Sequence, residues 1–261
     1  MSLQRPLAKR PLGDSGILVS CLGLGTVKIG RNQSVKYPSH FMLPDDSQVR
    51  ELLACAKGSG INLLDTAPAY GSSETRLGEL MENRHDWIIC TKTGEEFDKG
   101  LSYFDFSARH TRFSVERSLQ RLRTDYLDIV LIHSDGNDLT IIEQTDCFET
   151  LARLKSEGKI RAYGLSGKTL AGGLRALEVA DVVMVTYNPQ EKSERAVITQ
   201  AHASNKGVLI KKALASGHMP ESLDRPDPIH FSLSEPGVSS VVIGTINTTH
   251  LEDNVRRATA L

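Results

Sequence analysis

The stretch Ile61-Asn-Leu-Leu-Asp-Thr-Ala-Pro-Ala-Tyr-Gly-Ser-Ser73 opens as a short apolar run, stops on Asp65 and turns through Pro68 to Tyr70. A short apolar run without polar alternation reads as a strand buried on both faces, and such strands belong to parallel sheets covered by helices. Seven more runs share this character: CLGLG (21–25), WIICTK (87–92), YLDIVLI (126–132), IRAYGLS (160–166), DVVMVT (181–186), GVLIK (207–211) and SSVVIG (239–244). The segments between them carry helical spacing. Val49, Leu52, Leu53 and Ala56 follow the capping candidates Asp45 and Asp46; Val115, Leu119 and Leu122 repeat at one face; Leu251, Val255 and Ala258 follow Asn247. FETLARLKSEG closes on Gly158, a fitting helix stop. Eight strands alternating with helices in 261 residues predict an α/β fold of the (β/α)8 TIM-barrel class, as one domain over 1–261. The alternative, an open doubly wound sheet, is weakened because no GxGxxG follows the first strand: GLGTVKIG places Thr26 and Val27 where that turn would continue. Ahead of the barrel, AKRPLGDSGILVS predicts a β-hairpin turning at Gly13-Asp14-Ser15-Gly16.

Composition narrows the function. Lys and Arg number 31 against 32 Asp and Glu, a formal net charge of −1, which gives no reason to expect a nucleic-acid or membrane-surface partner. No apolar run approaches a membrane span, and MSLQRPLAKR lacks the apolar stretch of a signal peptide. Cys21, Cys55, Cys90 and Cys147 show no metal-site spacing and read as reduced thiols, as in a cytoplasmic protein with no metal centre.

In a parallel barrel, chemistry gathers at the carboxyl ends of the strands. There the second strand delivers Asp65 with Tyr70 in its loop, the third Lys92, the fourth His133 and the fifth Ser166. Taken singly, each has a plain structural explanation: a turn cap, a packing phenol, a solvent-facing strand end, a hydrogen-bonded core imidazole. Their joint occurrence weighs the other way, because buried Asp and Lys are costly unless paired. A tyrosine is a suitable acid for an alkoxide forming from a carbonyl. An ammonium about 4 Å away, at an effective dielectric near 20, would favour its phenolate by up to about 4 kcal/mol. Asp65 is placed as the counter-charge of that ammonium, and His133 as a donor that orients and polarises the carbonyl oxygen.

DTAPAYGSSETRLGEL, CTKTG, DYLDIVLIH, EGKIRAYGLS and IGTINTTHLEDNV resemble, in order and along nearly the whole chain, the corresponding blocks of the aldo-keto reductase superfamily, in the manner of a short bacterial-type member. The resemblance implies a (β/α)8 barrel with an N-terminal hairpin and a nicotinamide nucleotide, NADPH or sometimes NADH, extended across the mouth without a metal. It also implies Tyr70 as proton donor, Lys92 and Asp65 as its tuning pair and His133 as the carbonyl orienter. Thr26 falls among the implied cofactor contacts. On the nicotinamide side this chain departs from the family pattern. Ser166-Gly167 stands where Ser-Asn is usual, Met184 where a glutamine is common, and Lys211 where an aromatic stacks on the ring. A cation there disfavours the positively charged oxidised ring unless its side chain turns to a phosphate. Leu214, Ser216 and Gly217 suit phosphate oxygens, as does the turn Gly244-Thr245-Ile246-Asn247 at the last helix, whose N-terminal dipole attracts phosphate. Gly244 and His250 replace the Lys and Arg that many NADPH-specific relatives carry, so NADPH and NADH both stay open; Asn254 matches an adenine-contacting asparagine.

The chain is short for the family, and the brief loop after His133 leaves an open mouth, suggesting a small or hydrophilic carbonyl such as an aldehyde or sugar. Tyr37, His40, Phe41 and Met42, within the insert at 31–46, form either a pocket wall or a surface cluster. Two other readings remain: a cofactor-holding regulatory or sensor protein with little turnover, and a lyase or aldolase using Lys92 as a Schiff-base amine. The oligomeric state is open.

Overall fold

The computed structural model of the protein describes residues 7–217 and 226–260. Strands β1 (Lys9–Pro11) and β2 (Leu18–Ser20) form the expected antiparallel hairpin, with Gly13 and Gly16 at positive φ in its turn. Next come β3 (Leu22–Gly25), β4 (Leu63–Asp65) and β5 (Ile88–Thr93). A second hairpin, β6 (Glu95–Asp98) and β7 (Leu101–Phe104), interrupts the series. It continues with β8 (Leu127–His133), β9 (Ile160–Ser166), β10 (Val182–Thr186), β11 (Gly207–Lys211) and β12 (Ser240–Gly244). The eight strands other than the two hairpins pair in parallel and close into a barrel, with Gly244 of β12 in register with Gly25 of β3. All eight apolar runs are therefore barrel strands, and the fold is a (β/α)8 TIM barrel.

Burial divides each strand by its period of two. Leu64, Ile89, Val130, Ile132 and Val183 face outward into the layer shared with the helices. Leu63, Cys90, Ile129, Leu131, Ala162, Val182, Met184 and Leu209 form a separate inner cluster with Leu12, Ile17 and Val19 of the first hairpin, which thereby plugs the barrel's amino-terminal end. The helices start where their caps stand. Asp45 caps Asp46–Gly58 in a reciprocal box with Gln48, Ser107 caps Ala108–Arg121, and Asn247 caps Thr248–Thr259. Cys147–Ser156 ends just before Gly158, at φ 75°. Among the described residues no helix is long and apolar enough to cross a membrane, and the four cysteines are unpaired.

Candidate active site

The strand period that buries Leu63, Cys90, Leu131, Val182 and Leu209 carries the next inward side chains, two residues on, to the carboxyl-end mouth: Asp65, Lys92, His133, Met184 and Lys211. With Ser166 they line a cavity of about 780 Å³. Tyr70 is brought over them by a tightly fixed loop. Thr26 donates from both its N–H and its Oγ1 to the Asp65 carbonyl, 2.9 Å each, and receives the Ser73 hydroxyl at 2.8 Å. The turn after Tyr70 needs two glycines: a Cβ on Gly71 (φ 61°) would come within 2.2 Å of the Gly30 carbonyl oxygen, and one on Gly30 equally close to that of Tyr70.

Lys92 is 2% exposed, and its Nζ donates to Asp65 Oδ1 at 2.6 Å and to the Thr66 carbonyl at 2.8 Å. The ammonium lies 4.8 Å from the Tyr70 ring centroid. Burial pushes the Lys92 ammonium down, but Asp65 and Tyr70 outweigh it, and the net shift is upward. The Tyr70 phenol moves opposite to the expected direction. Desolvation by surrounding atoms raises it, Asp65 adds to the rise, and Lys92 opposes without prevailing. Desolvation is the main reason, and the carboxylate 2.6 Å from the ammonium offsets part of the field that would oppose it. The Tyr70 and His133 rings meet edge to face at 6.2 Å. On its far side, His133 Nδ1 lies 2.7 Å from Glu95 Oε2.

Of the expected cofactor contacts, Thr26, Ser166, Gly167, Met184, Lys211, Leu214, Ser216, Gly217 and Gly244 all line the cavity. Lys211 does not turn to a phosphate position. Its Nζ donates to the Ser166 hydroxyl at 3.1 Å and to the Gly167 carbonyl at 2.5 Å, and burial lowers the ammonium to about 8. Gly167 has a local cause: a Cβ there would approach Asp138 Oδ2 to 3.2 Å. That buried carboxylate receives the backbone N–H groups of Lys168 and Thr169 and the Thr169 hydroxyl, tying the loops after β8 and β9 together. Thr245, Asn247, His250 and Asn254 lie outside the cavity lining. Thr245 Oγ1 receives the Asn247 N–H, and Asn247 Oδ1 receives the His250 N–H, so both side chains serve the helix start.

A nicotinamide nucleotide fits this mouth at its phosphate end. Ala215, Ser216 and Gly217 follow one another at positive φ (47°, 56° and 88°), with the Ala215 and Gly217 N–H groups bonded to the Lys212 and Leu214 carbonyls. This turn therefore offers the Ser216 hydroxyl and N–H, and what attracts an anion here is the charge of the surrounding lysines. Lys28, Lys36, Lys168 and Lys212 line the cavity, and among the described residues none of them lies within ion-pair distance of a carboxylate. Among the same residues no His, Cys, Asp or Glu cluster is arranged to hold a metal. The insert at 31–46 divides. Val35 to Ser39 line the cavity, with Tyr37 close to Gly244 and Pro38 close to Gly217, whereas His40, Phe41 and Met42 do not, and Met42 is 85% exposed.

Sequence reasoning missed Glu95 and Arg31. Arg31 donates to the Ala69, Gln33 and Ser34 carbonyls and stacks on Phe97 at 3.4 Å. The signal present was the Lys99-Gly100 dipeptide between EEFD and LSYF, whose φ values of 49° and 86° make a hairpin turn.

Fold and site together define a TIM barrel whose polar side chains converge at the carboxyl ends of its strands. The model of the aldo/keto reductase family matches residues 21–232. A solved chain from Pseudomonas aeruginosa, described as an aldo-keto reductase, is 54% identical with a TM-score of 0.88, covering 100% of this chain and 98% of that one. L-galactose dehydrogenase of Arabidopsis thaliana is 31% identical over 97% of this chain and 88% of its own length. An aldo-keto reductase from Bacillus halodurans in its holo form is 25% identical with a TM-score of 0.82, covering 98% and 91%. The chain belongs to the aldo/keto reductase family.

Proposed function

We propose that the protein is an NAD(P)H-dependent oxidoreductase that reduces an aldehyde, ketone or sugar carbonyl, or oxidises the corresponding alcohol. The observation that carries this reading is the Lys92–Asp65 pair buried beneath Tyr70, with His133 facing the phenol across the same cavity. When bound, a reduced nicotinamide nucleotide supplies the hydride. Leu214, Ser216, Gly217 and Gly244 would hold it at the phosphate end together with the mouth lysines, and Ser166, Gly167, Met184 and Lys211 would face its ring. Those lysines favour the more highly phosphorylated NADPH, with NADH as the alternative.

The remaining chemistry falls to side chains. The upward shift of Tyr70 keeps its phenol protonated at neutral pH. An alkoxide is a stronger base than a phenolate, so the proton passes from Tyr70 to the substrate oxygen as charge develops there. Lys92 then stabilises the phenolate left behind, while Asp65 keeps the ammonium charged and in place. His133 directs Nε2 at the same oxygen and orients it. L-galactose dehydrogenase among the relatives supports a hydroxylated, sugar-like substrate.

The test is a fluorescence titration with NADPH and NADH, followed by a carbonyl panel with whichever binds. Tyr70→Phe should abolish turnover and retain nucleotide binding; retained turnover removes Tyr70 from this role. One observation favours a second reading, a cofactor-holding sensor: the Lys211 ammonium occupies hydrogen-bonding groups expected to meet the nicotinamide amide. Tight nucleotide binding with no turnover across the panel would support it.

A further inference from the structure

His133 has a neighbour that the reaction outlined above does not use. After Thr93 the chain bends sharply at Gly94 (φ 99°), and β6 folds back over the mouth with Glu95 as its first residue. The Glu95 side chain is only 13% exposed and is held from three sides. Its Oε2 lies 2.7 Å from His133 Nδ1, its Oε1 accepts the Ser102 hydroxyl at 2.7 Å, and Arg31 Nη1 stands 4.0 Å from Oε1. Arg31 is itself fixed by stacking on Phe97, in the same strand as Glu95. This is a built arrangement: apart from His133 at the end of β8, its partners are supplied by the loop after β3 and by the β6–β7 hairpin.

An ionised carboxylate against one imidazole nitrogen decides where the ring's protons go. Burial pushes the Glu95 carboxyl up, but His133, Ser102 and Arg31 outweigh it and bring it down to about 2, so it is ionised at neutral pH. That charge favours a proton on Nδ1 beside it. A neutral ring would then present only a lone pair at Nε2, which repels a carbonyl oxygen. Nε2 can donate only when both nitrogens are protonated. The Nδ1 to Glu95 contact is short, yet its angle is not that of a linear hydrogen bond, so its effect is mainly one of charge. The groups facing His133 are Tyr70 from the loop after β4, Lys92 of β5 with Asp65 behind it, Lys211 of β11, and Glu95 with Arg31 behind it. Burial and the two lysines lower the imidazole and prevail; Glu95 alone among its named partners raises it, so it limits a shift whose net direction is downward.

We propose that Glu95 is a positioning residue of the site: its charge favours the proton on Nδ1 of His133 and opposes the loss of the second, keeping accessible the doubly protonated ring in which Nε2 donates to the substrate oxygen. This rests on the oxidoreductase reading only for the identity of that oxygen. No proton leaves His133 in the step; Tyr70 gives the proton, and the imidazolium orients and stabilises the oxygen that receives it. Reduction should therefore slow as pH rises through the His133 midpoint, because the donor form disappears.

The test is a pH titration of His133 by NMR with 15N-histidine-labelled protein, assigned with His133→Asn, in wild type, Glu95→Gln and Glu95→Asp. Loss of an opposite charge at this distance typically moves a midpoint by about one unit or more. Glu95→Gln should therefore lower the His133 midpoint, cutting the imidazolium population about tenfold at a fixed pH above it. Glu95→Asp should restore part of the shift. The alkaline limb of kcat/KM for reduction should move to lower pH in step. If Glu95→Gln does not fold, Glu95→Asp alone, which keeps the charge but withdraws it by one methylene, should give a smaller shift in the same direction. An unchanged midpoint, or a wild-type ring protonated at Nε2 alone, overturns the proposal. The titration needs no turnover, so failure of the oxidoreductase reading would be seen separately in Tyr70→Phe.

Discussion

Lys211 concentrates the chemical tension of the site in one side chain. β11 delivers it inward beside Met184, with Glu194 as the nearby acid that partly offsets its desolvation. The ammonium titrates near 8, so at pH 7 it is mostly charged, and by pH 9 mostly neutral. An oxidised nicotinamide is a cation and a reduced one is not. At about 5 Å and an effective dielectric near 20, the repulsion reaches about 3 kcal/mol as an upper figure. Wild type should therefore bind the reduced nucleotide at least tenfold tighter than the oxidised one at pH 6.5 and lose much of that preference at pH 9. Lys211→Met should show little preference at either pH. Calorimetric dissociation constants for both redox forms check this, and a ratio independent of pH and of the substitution would refute it. Stability carries the same signature. A folded-state midpoint of about 8 against an ordinary 10.5 means that the unfolded chain binds the proton between those values, so this group's contribution to stability rises with pH across that window. At neutral pH the buried charge is a cost, and Lys211→Met should stabilise by up to about 3 kcal/mol, measured by denaturant unfolding.

At the scale of elements, the β6–β7 hairpin and the segment 31–46 belong together. Ser34 donates its hydroxyl to the Gly100 carbonyl, and Arg31 links the segment to Phe97. Arg31→Ala would leave the Ala69, Gln33 and Ser34 carbonyls without their donor and Phe97 without its guanidinium. A cost of about 1–3 kcal/mol is expected, from a charged hydrogen-bond donor and a stacked cation. It should appear as faster hydrogen exchange across 31–46 and 95–104, with barrel strands unaffected; uniform acceleration would mean that Arg31 supports the whole fold. These are also the elements that the sequence left unread. The barrel strands were legible because burial on both faces leaves an unbroken apolar run, and the polar residues at the ends of those runs then placed Asp65, Lys92 and His133 at one mouth. LSYF is exposed throughout and EEFD buries charged residues rather than apolar ones, so no apolar pattern marks them, and the contact between Glu95 and His133 depends on where the hairpin folds back. Charge balance was hidden for a similar reason. Lys92 was legible as a cation near Tyr70, but how far Asp65 cancels it depends on a 2.6 Å contact that spacing does not reveal.

For the molecule as a whole, the barrel's layers set site against stability. The lower interior is apolar and plugged by the first hairpin, while the next layer up replaces packing with the Lys92–Asp65 pair, whose side chains are 2% and 7% exposed. Desolvating two such charges consumes most of what their attraction returns, so the pair adds little net stability as a unit. Each charge alone is a different matter, since removing one partner strands the other among apolar neighbours. Asp65→Asn and Lys92→Met should each cost about 3–5 kcal/mol, and the double variant should recover much of that loss. The upward shift of Lys92 fixes the pH sign: its contribution is fully present below the ordinary lysine value of 10.5 and is lost as pH rises through the higher folded value. The gap between wild type and Asp65→Asn should therefore stay flat from pH 7 to 10 and narrow only beyond the ordinary lysine range. Denaturant unfolding of all four proteins gives the coupling, and additive losses would contradict a mutually dependent pair. Turnover should be lost in both single variants and in the stable double one. The pair would then be retained for the phenol above it, at a site where hydrophobic residues of similar volume would fold as well.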